Sequence, residues 1–521
     1  FAPRTAPFRM PELEQRLRQI GADRLLGMRR GIEKESLRAQ PSGALALTPH
    51  PPALGAPLTH PHITTDYCES QLELITGVHD TVEGCLGELT RIHQFVYRTL
   101  AELGDERLWV SSMPCGLPAD ETIPIGRYGT SNVARAKSVY RMGLAHRYGR
   151  RMQTISGIHY NWSLPGLGNA EYFALIRNFR RRSFVLLLLF GASPALCTSF
   201  VAGREHRLEP LVGEASGTLH RPHATSLRMG RLGYQSDAQA QLAVSYNSLE
   251  RYAASLYDAM TQPYAPYEAI GVRNLGGEYN QLATSLLQIE NEFYGTIRPK
   301  RVIRSGERPL HALRERGVEY VEVRLMDLDP FAPAGIEAAT MRLIDIFLLH
   351  CLLTPSPEDT PDEIAALAHN QHAVAAFGRE PGRRLQRGGA EVVLVEWADE
   401  VLEQCLPIAA LLDHAFGAGA YREALAAARQ ALADAASLPS ARVLAATQDD
   451  FAGSHTRFVR AQAEQTRGHF LALPWSPEQQ AAFGAMAAVS HHRRKALEAA
   501  DTMDFESWRL AYLDPATLVA G

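Results

Sequence analysis

Two glutamates one residue apart, Glu33 and Glu35, occupy the segment RGIEKESLR (residues 30–38). In an extended segment alternate side chains point to the same face, so the two carboxylates would lie about 7 Å apart on one side of a strand. Like charges on one face repel each other unless a cation lies between them. The spacing therefore indicates a metal site or, on this segment alone, a solvated edge strand or the acidic first turn of a helix.

Other carboxylates and one histidine stand in segments with the alternating pattern that is typical of strands. These segments are TTDYCESQLELIT with Asp66 and Glu73, GIHYNWSL with His159, and VEYVEVRLMDL with Glu322. Taken singly, each is more typical of a solvated strand or, for His159, of a hydrogen-bonded core. Divalent cations such as Mg²⁺ bind several oxygen ligands, which a neutral imidazole can join. We therefore predict a cluster of metal sites on the polar face of one sheet, formed by Glu33, Glu35, Glu73, Glu322 and His159.

Basic residues are concentrated in two short segments, IRPKRVIRSG and SLRMGRLGY. The first carries Arg298, Lys300 and Arg304, and the second carries Arg228. Arginine pairs with phosphate and carboxylate groups through two parallel hydrogen bonds, which predicts recognition of a phosphate or of a substrate carboxylate. Exposed loops and nucleic-acid contacts are the alternatives, but a formal net charge of −4 disfavours a general nucleic-acid binder.

The common nucleotide-binding loops are absent from the sequence. It contains no Gly-x-x-x-x-Gly-Lys-Ser/Thr motif, no Gly-x-Gly-x-x-Gly motif after a strand and no Gly-x-Ser-x-Gly elbow. If the protein uses ATP, we expect metals and arginines on a sheet to hold the phosphates.

Composition places the chain among soluble globular proteins, with 46% hydrophobic and 21% charged residues over 521 positions. Six widely separated cysteines form no Cys-x-x-Cys pair, which indicates a reducing compartment rather than a disulfide scaffold. The longest apolar run, residues 184–190, is too short to span a membrane, and the first residues contain no apolar core of signal-peptide length. We therefore expect a cytoplasmic protein with no membrane contact.

Hydrophobic periodicity predicts helices over residues 11–28 and 81–103, with short extended pieces between them. Alternating segments follow, and from about residue 334 the chain becomes alanine-rich and helical. This order is not a βαβ alternation, so it predicts an α+β fold rather than a Rossmann fold. We expect one domain over 1–521, with a sheet-containing core at 1–333 and a mainly helical flank at 334–521.

Nine segments occur in an order that resembles the bacterial type 1 glutamate–cysteine ligase (gamma-glutamylcysteine synthetase) family. They are RGIEKESLR, LTHPHITTDYCESQLELIT, GDERLWVSSMPC, RYGTSN, MQTISGIHYNWSLP, LFGASPALC, ATSLRMGRLGY, LQIENEFYGTIRPKR and VEYVEVRLMDLDPF. The resemblance implies ligation of the glutamate γ-carboxyl to the cysteine amine through a gamma-glutamyl phosphate. It also implies a glutamine synthetase-like core, in which a curved antiparallel sheet holds ATP and Mg²⁺, with Mn²⁺ as an alternative ion.

The resemblance assigns roles to individual residues. The implied metal ligands are Glu33, which would serve two Mg²⁺ sites with His159 and Glu322 as its partners, and Glu35, Asp66 and Glu73, which would form another site. The implied catalytic arginines are Arg324, which would face the transferred phosphate, and Arg228, which would bind the substrate carboxylate. The implied acceptor pocket consists of Tyr67, Tyr140, Leu144, Gln153, Tyr234 and Tyr294, with Tyr67 at a position where relatives often have Phe. Phosphate contacts are expected from Arg298, Lys300, Arg304 and Arg324.

Three other functions compete with this one. A ligase of the same superfamily could use a different amine, clustered carboxylates could activate water in a metal-dependent phosphohydrolase, and a regulatory relative could bind ATP without catalysis. The expected partners are the small molecules glutamate, cysteine and ATP, and we expect a monomer.

Overall fold

The computed structural model describes residues 10–213, 217–233, 237–240, 242–304 and 306–519. Its strands are β1 (Arg29–Ala39), β2 (Ile63–Thr65), β3 (Gln71–Ile75), β4 (Arg107–Leu108), β5 (Ile158–Ser163), β6 (Ala195–Cys197), β7 (Glu209–Pro210), β8 (Thr218–His220), β9 (Ile297–Lys300), β10 (Tyr320–Met326), β11 (Arg384–Arg387) and β12 (Ala390–Val393).

Twenty α-helices lie within the described ranges. They are α1 (Met10–Ile20), α2 (Ala22–Leu26), α3 (Val82–Leu103), α4 (Asn132–Tyr148), α5 (Arg150–Gln153), α6 (Asn169–Arg182), α7 (Phe184–Phe190), α8 (Asp237–Ala240), α9 (Leu249–Thr261), α10 (Ala265–Ile270), α11 (Pro309–Arg316), α12 (Ala338–Leu353), α13 (Pro361–Phe377), α14 (Leu394–Gln404), α15 (Leu406–Phe416), α16 (Ala420–Ala433), α17 (Pro439–Asp449), α18 (His455–Ala472), α19 (Pro477–Ala500) and α20 (Phe505–Leu513).

The central element is a seven-stranded sheet in the order β2-β3-β1-β5-β10-β9, with β4 paired to the far end of β1. All of its strand pairs are antiparallel. The α+β fold expected from the alternating segments is therefore confirmed. The long strand β1 lies in the middle, so residues of β3 and β5 flank it on both sides.

The two faces of this sheet differ in chemistry because side chains alternate along each strand. Ile158, Tyr160 and Trp162 of β5 are at most 1% exposed and belong to the main hydrophobic core. Helices α3, α6 and α7 pack on this side, and α12 packs across α3 and α6. The carboxylates and the histidine of the central strands lie on the opposite face, where they line a cavity.

The structure differs from the sequence-based expectations in three local features. Gly21, with φ 69°, separates α1 from α2, where one helix was expected. The expected helical flank also contains an antiparallel hairpin, β11–β12. Cys115 and Cys197 form a disulfide across a sequence separation of 82, so two of the six cysteines are not free thiols. Their proximity depends on tertiary packing, which the spacing of cysteines does not reveal.

The apolar run at residues 184–190 forms α7, whose side chains from Phe184 to Leu189 are buried. Among the described residues, every helix is too short or too polar to cross a membrane.

Candidate active site

The register of the central strands determines which polar side chains meet. Glu33 of β1 stands opposite His159 of β5, and Glu35 of β1 stands opposite Glu73 of β3. Glu322 of β10 pairs with residue 161 on the other side of β5. Directly opposed residues on one face have Cβ atoms about 5 Å apart, so this register converts separate polar strands into one cluster.

The first group of possible metal ligands consists of Glu33, His159 and Glu322, whose ligand atoms lie within 4.8 Å of one another. His159 Nδ1 is 3.1 Å from one oxygen of Glu33, and Asn161 Nδ2 donates to the other at 3.0 Å. Burial acts to raise the pKa of Glu33, but the hydrogen bond and charge of His159, together with the charge of Lys300, outweigh it and lower the pKa. Glu33 is therefore a carboxylate at neutral pH, held in place by two neighbours.

The second group consists of Glu35, Glu73 and the same histidine, again within 4.8 Å. His159 Nε2 is 3.7 Å from Glu35, so the two ring nitrogens face different carboxylates. The backbone N–H of Gly157 donates to Glu35 at 2.7 Å. Burial, with a smaller contribution from Arg324, lowers the pKa of His159, which keeps the imidazole in the neutral form that binds metals.

The carboxylates of the second group are strained electrostatically. Burial and the charge of Asp66 raise the pKa of Glu35 to about 8, and burial with the charge of Glu33 raises the pKa of Glu73 well above its ordinary value. Buried like charges are stable only when a cation or protons neutralise them. A bound divalent cation would neutralise this pair, and oxygen with imidazole is a donor set that suits Mg²⁺ or Mn²⁺.

Asp66 lines the same cavity but lies outside both groups of ligand atoms. Its backbone carbonyl accepts hydrogen bonds from the Tyr128 hydroxyl, at 3.1 Å, and from Arg141. The expected Glu35–Asp66–Glu73 set therefore appears here as Glu35–Glu73–His159, with the Asp66 carboxylate on the adjoining wall.

Cations line the cavity beside the first group. Glu322, which is 1% exposed, lies between Lys300 at 3.1 Å and Arg324 at 2.8 Å. These charges outweigh burial and hold the pKa of Glu322 well below its usual range. Arg298 stands opposite Glu322 in the β9–β10 ladder and also lines the cavity.

Arg304, the remaining basic residue expected here, lies outside the residues that line this cavity. It follows the end of β9, its guanidinium is exposed, and its ion-pair partner is Glu315 of α11 at 3.6 Å. The basic segment turns away from the sheet after Lys300. Arg298 and Lys300 therefore line the cavity, whereas Arg304 lies on the surface.

Arg228 lies outside the residues that line the cavity, and its guanidinium is beside Gly157, which donates to Glu35. Arg228 is 1% exposed, donates to the carbonyl of Arg324 at 2.9 Å and is 3.6 Å from Asp327. The positive charge of Arg228 acts to lower the pKa of Glu35, so this arginine partly offsets the effect of burial on that carboxylate. An added Cβ at Gly157 would lie 2.0 Å from the Arg228 guanidinium, so the glycine allows this approach.

The opposite wall of the cavity carries most of the expected acceptor-pocket residues. Tyr140 and Leu144 extend from α4, Gln153 donates to the Tyr294 hydroxyl at 3.0 Å, and Tyr67 completes the wall. The Tyr67 hydroxyl is buried and has no hydrogen-bond partner among the described residues. Tyr234, also expected here, lies outside the described residues.

Several cavity residues were not assigned from the sequence. Lys137 and Arg141 of α4 line the cavity one helical turn apart, and Asn291 also lines it. Asn161 contributes indirectly, because it donates a hydrogen bond to Glu33. The spacing of Lys137, Tyr140 and Arg141 would have placed all three on one helical face. Gly157 also carried a signal, because a glycine at the start of a strand often marks a close approach of other atoms.

Comparison with known proteins identifies the family. The model of the glutamate–cysteine ligase family matches residues 15–374. The chain is 45% identical to the glutamate–cysteine ligase of Alcanivorax borkumensis, over 96% of this chain and 99% of the relative. It is 49% identical to that of Azotobacter vinelandii, over 92% and 93%.

Solved structures agree with this result. The glutamate–cysteine ligase of Francisella tularensis, determined in complex with AMP, matches with a TM-score of 0.88 and 33% identity, over 94% of this chain and 98% of that one. A bifunctional glutathione synthetase of Pasteurella multocida matches with a TM-score of 0.70 and 25% identity, over 91% of this chain but 58% of that one. From its sequence and its fold, the chain is a ligase that belongs to the glutamate–cysteine ligase family.

Proposed function

We propose that this protein joins the γ-carboxyl of glutamate to the amine of cysteine in a reaction that requires ATP and Mg²⁺ and passes through a gamma-glutamyl phosphate. The observation that carries the proposal is the pair of ligand groups that share His159, with Lys300, Arg298 and Arg324 beside them. A carboxylate is a poor electrophile, and an acyl phosphate overcomes this because phosphate is a good leaving group. Phosphoryl transfer requires positioning and charge neutralisation, which this site offers.

The carboxylates and His159 would hold two divalent cations. Glu33, His159 and Glu322 would hold one divalent cation, and Glu35 and Glu73, with His159 and Asp66 nearby, would hold another. Bound there, the cations would neutralise phosphate charge as the acyl phosphate forms. The donor chemistry fits, since burial and neighbouring carboxylates raise the pKa values of Glu35 and Glu73, and a bound dication would favour their ionised forms.

The cations of β9 and β10 would receive the phosphate. Arg324 pairs with Glu322 at 2.8 Å, and Lys300 pairs with the same carboxylate at 3.1 Å. A metal held by Glu322 would compete with both side chains for that carboxylate and would allow Lys300 and Arg324 to contact phosphate oxygens. Arg228, whose charge reaches Glu35, is the arginine proposed to bind the α-carboxylate of glutamate, since a guanidinium pairs well with a carboxylate.

The wall formed by Tyr140, Leu144, Tyr67, Gln153 and Tyr294 would receive the cysteine, with Tyr234 as a further proposed contact. Such a wall both orients the amine and excludes water, which would otherwise hydrolyse the acyl phosphate. Selectivity for cysteine over other amines would follow from this wall.

A product assay tests the proposal. The protein is incubated with Mg²⁺, ATP, glutamate and cysteine, and both ADP and gamma-glutamylcysteine are quantified. Replacement of cysteine by hydroxylamine should trap the acyl phosphate as glutamyl hydroxamate. ADP without a peptide product would favour a phosphohydrolase or another acceptor, and no ADP would favour a regulatory relative.

Two arginines from the basic segments provide a matched pair of variants. Arg324→Gln should lower ADP formation by about 10²- to 10³-fold, because it removes a charge that faces the developing phosphate. Arg304→Gln should retain wild-type activity, since that guanidinium is exposed and pairs with Glu315. Equal effects of the two substitutions would contradict the placement of the phosphate beside Arg324.

A further inference from the structure

The last helices of the chain, remote in sequence from the polar strands, contact the helix that forms the acceptor wall. Helix α20 packs on α4, and α19 ends beside the first residues of α4. We refer to residues 498–509, which make these contacts, as the C-terminal brace.

Two carboxylates of the C-terminal brace lie at the amino end of α4. Glu498 accepts a hydrogen bond from the backbone N–H of Thr130 at 3.0 Å, and Asp501 accepts one from the N–H of Asn132 at 2.5 Å. The side chain of Asn132 donates to the carbonyl of Met503 at 3.0 Å. The first N–H groups of a helix have no partners within the helix, and negative charge near them is favourable.

The path of the chain at this point depends on a glycine. Gly129 has φ +117°, and an added Cβ would lie 2.5 Å from the Glu498 carboxylate. Glu498 is 23% exposed at its side chain and lies 3.8 Å from Arg494 of the same helix. The carboxylate is therefore set against the turn before α4 rather than extended into solvent.

An apolar contact strengthens the same junction. Phe505 is 3% exposed and forms a small hydrophobic cluster with Ala136 of α4 and Leu282. The guanidinium of Arg135 lies 4.4 Å from the Phe505 ring centroid. Arg509 donates to the carbonyl of Leu282 at 2.6 Å, which ties the brace to the loop beneath α4.

The held helix carries the acceptor wall. Lys137, Tyr140, Arg141 and Leu144 of α4 line the cavity. At 3.6 residues per turn, they lie between about one and a half and three and a half turns from the amino end of the helix. Loss of the contacts at Asn132 would therefore loosen the turns that present Lys137 and Tyr140. The metal ligands lie on strands of the central sheet, and we expect the positions of those strands to stay unchanged.

We propose that the C-terminal brace positions α4 for binding of the acceptor amine, with Glu498 and Asp501 as positioning residues. This inference rests on the proposed function, since it assigns α4 to the amine side of the reaction. It predicts that a region about 370 residues away in sequence determines the KM for cysteine but not the KM for ATP or glutamate. Each carboxylate acts through the amino end of α4, where Ser131 is the cap residue, and touches no substrate.

The test uses full-length variants. Removal of a side-chain acceptor from a helix amino end lowers the equilibrium constant for forming that end by a factor of about five. Asp501→Ala and Glu498→Ala should each raise the KM for cysteine about three- to five-fold, and the double variant should raise it further. The KM values for ATP and glutamate should stay within about two-fold, and kcat at saturating cysteine should be largely retained.

Two further variants separate positioning from general destabilisation. Asp501→Asn keeps an oxygen acceptor. Its KM for cysteine should therefore be close to the wild-type value, without most of the rise expected in Asp501→Ala. Glu478→Gln, at the exposed opposite end of α19 beside its own cap Ser476, should behave as wild type. Equal rises in all three KM values, or a fall in kcat with the KM for cysteine unchanged, would overturn the proposal.

Hydrogen–deuterium exchange of the ligand-free proteins gives a readout that does not need activity. Peptides covering residues 129–137 should exchange faster in the double alanine variant, and peptides from β1 and β5 should not change. Unchanged exchange at residues 129–137 would refute the brace even if wild-type protein makes gamma-glutamylcysteine. If wild-type protein makes no such product, the proposed function fails, and the exchange data still decide whether the brace holds α4.

Discussion

Glu33→Gln is the substitution that tests the polar cluster most directly, because it should abolish turnover at only a small cost in stability. Glutamine has the same shape as glutamate but no charge. Without a metal, Glu33 and Glu322 are like charges with ligand atoms within 4.8 Å. At an effective dielectric constant of about 20, such a pair repels by about 3.5 kcal/mol. Burial adds to this cost, but the hydrogen bond with His159 and the attraction of Lys300 outweigh both and lower the pKa of Glu33, so the variant should be slightly less stable than wild type in the absence of metal.

The same charge is required for metal binding. A dication and a carboxylate about 4 Å apart attract by about 8 kcal/mol at that dielectric constant. If only half of this interaction contributes to the transition state, its loss lowers the rate by about 10³-fold. The variant should therefore have almost no turnover although its fold is intact.

Two assays test this prediction. ADP release with glutamate and cysteine measures turnover, and thermal melting with and without Mg²⁺ measures stability and metal response. Glu319→Gln is the control, since Glu319 is 46% exposed at its side chain and pairs with Arg301 at 3.7 Å. Near-normal turnover, or a full Mg²⁺ response of the melting temperature, would refute the reasoning.

The remaining predictions concern other parts of the site and the core beneath it. Gly157→Ala should raise the KM for glutamate about ten-fold or more by displacing Arg228, whereas Gly468→Ala, whose added Cβ meets nothing within 4 Å, should not; equal KM values in the two variants would contradict this. Tyr67→Phe should raise the melting temperature because it removes a buried hydroxyl without a partner among the described residues, and a lower temperature would show that the hydroxyl is satisfied. Burial lowers the pKa of Lys34 to about 7, so the folded protein binds fewer protons than the unfolded chain between about pH 7 and 10, and stability rises with pH there; melting of Lys34→Met across this range should show a flatter dependence, and an unchanged slope would contradict the assignment.

The family and the kind of chemistry were accessible from the sequence. Alternation of polar and apolar residues is a property of each strand by itself, so it placed Glu33 and Glu35 on one face and Ile158 and Tyr160 on the apolar side without knowledge of the neighbouring strands. Nine ordered motifs then indicated the ligase family, which the comparisons confirm.

Only the tertiary structure decided which side chains meet. Cross-strand register places His159 between two carboxylate groups, leaves the Asp66 carboxylate on an adjoining wall and turns Arg304 away to the surface. The disulfide and the C-terminal brace join residues 82 and about 370 positions apart. Residue patterns report local periodicity, whereas register and helix docking depend on how distant segments bury their apolar surfaces together, and that information is not contained in any single segment.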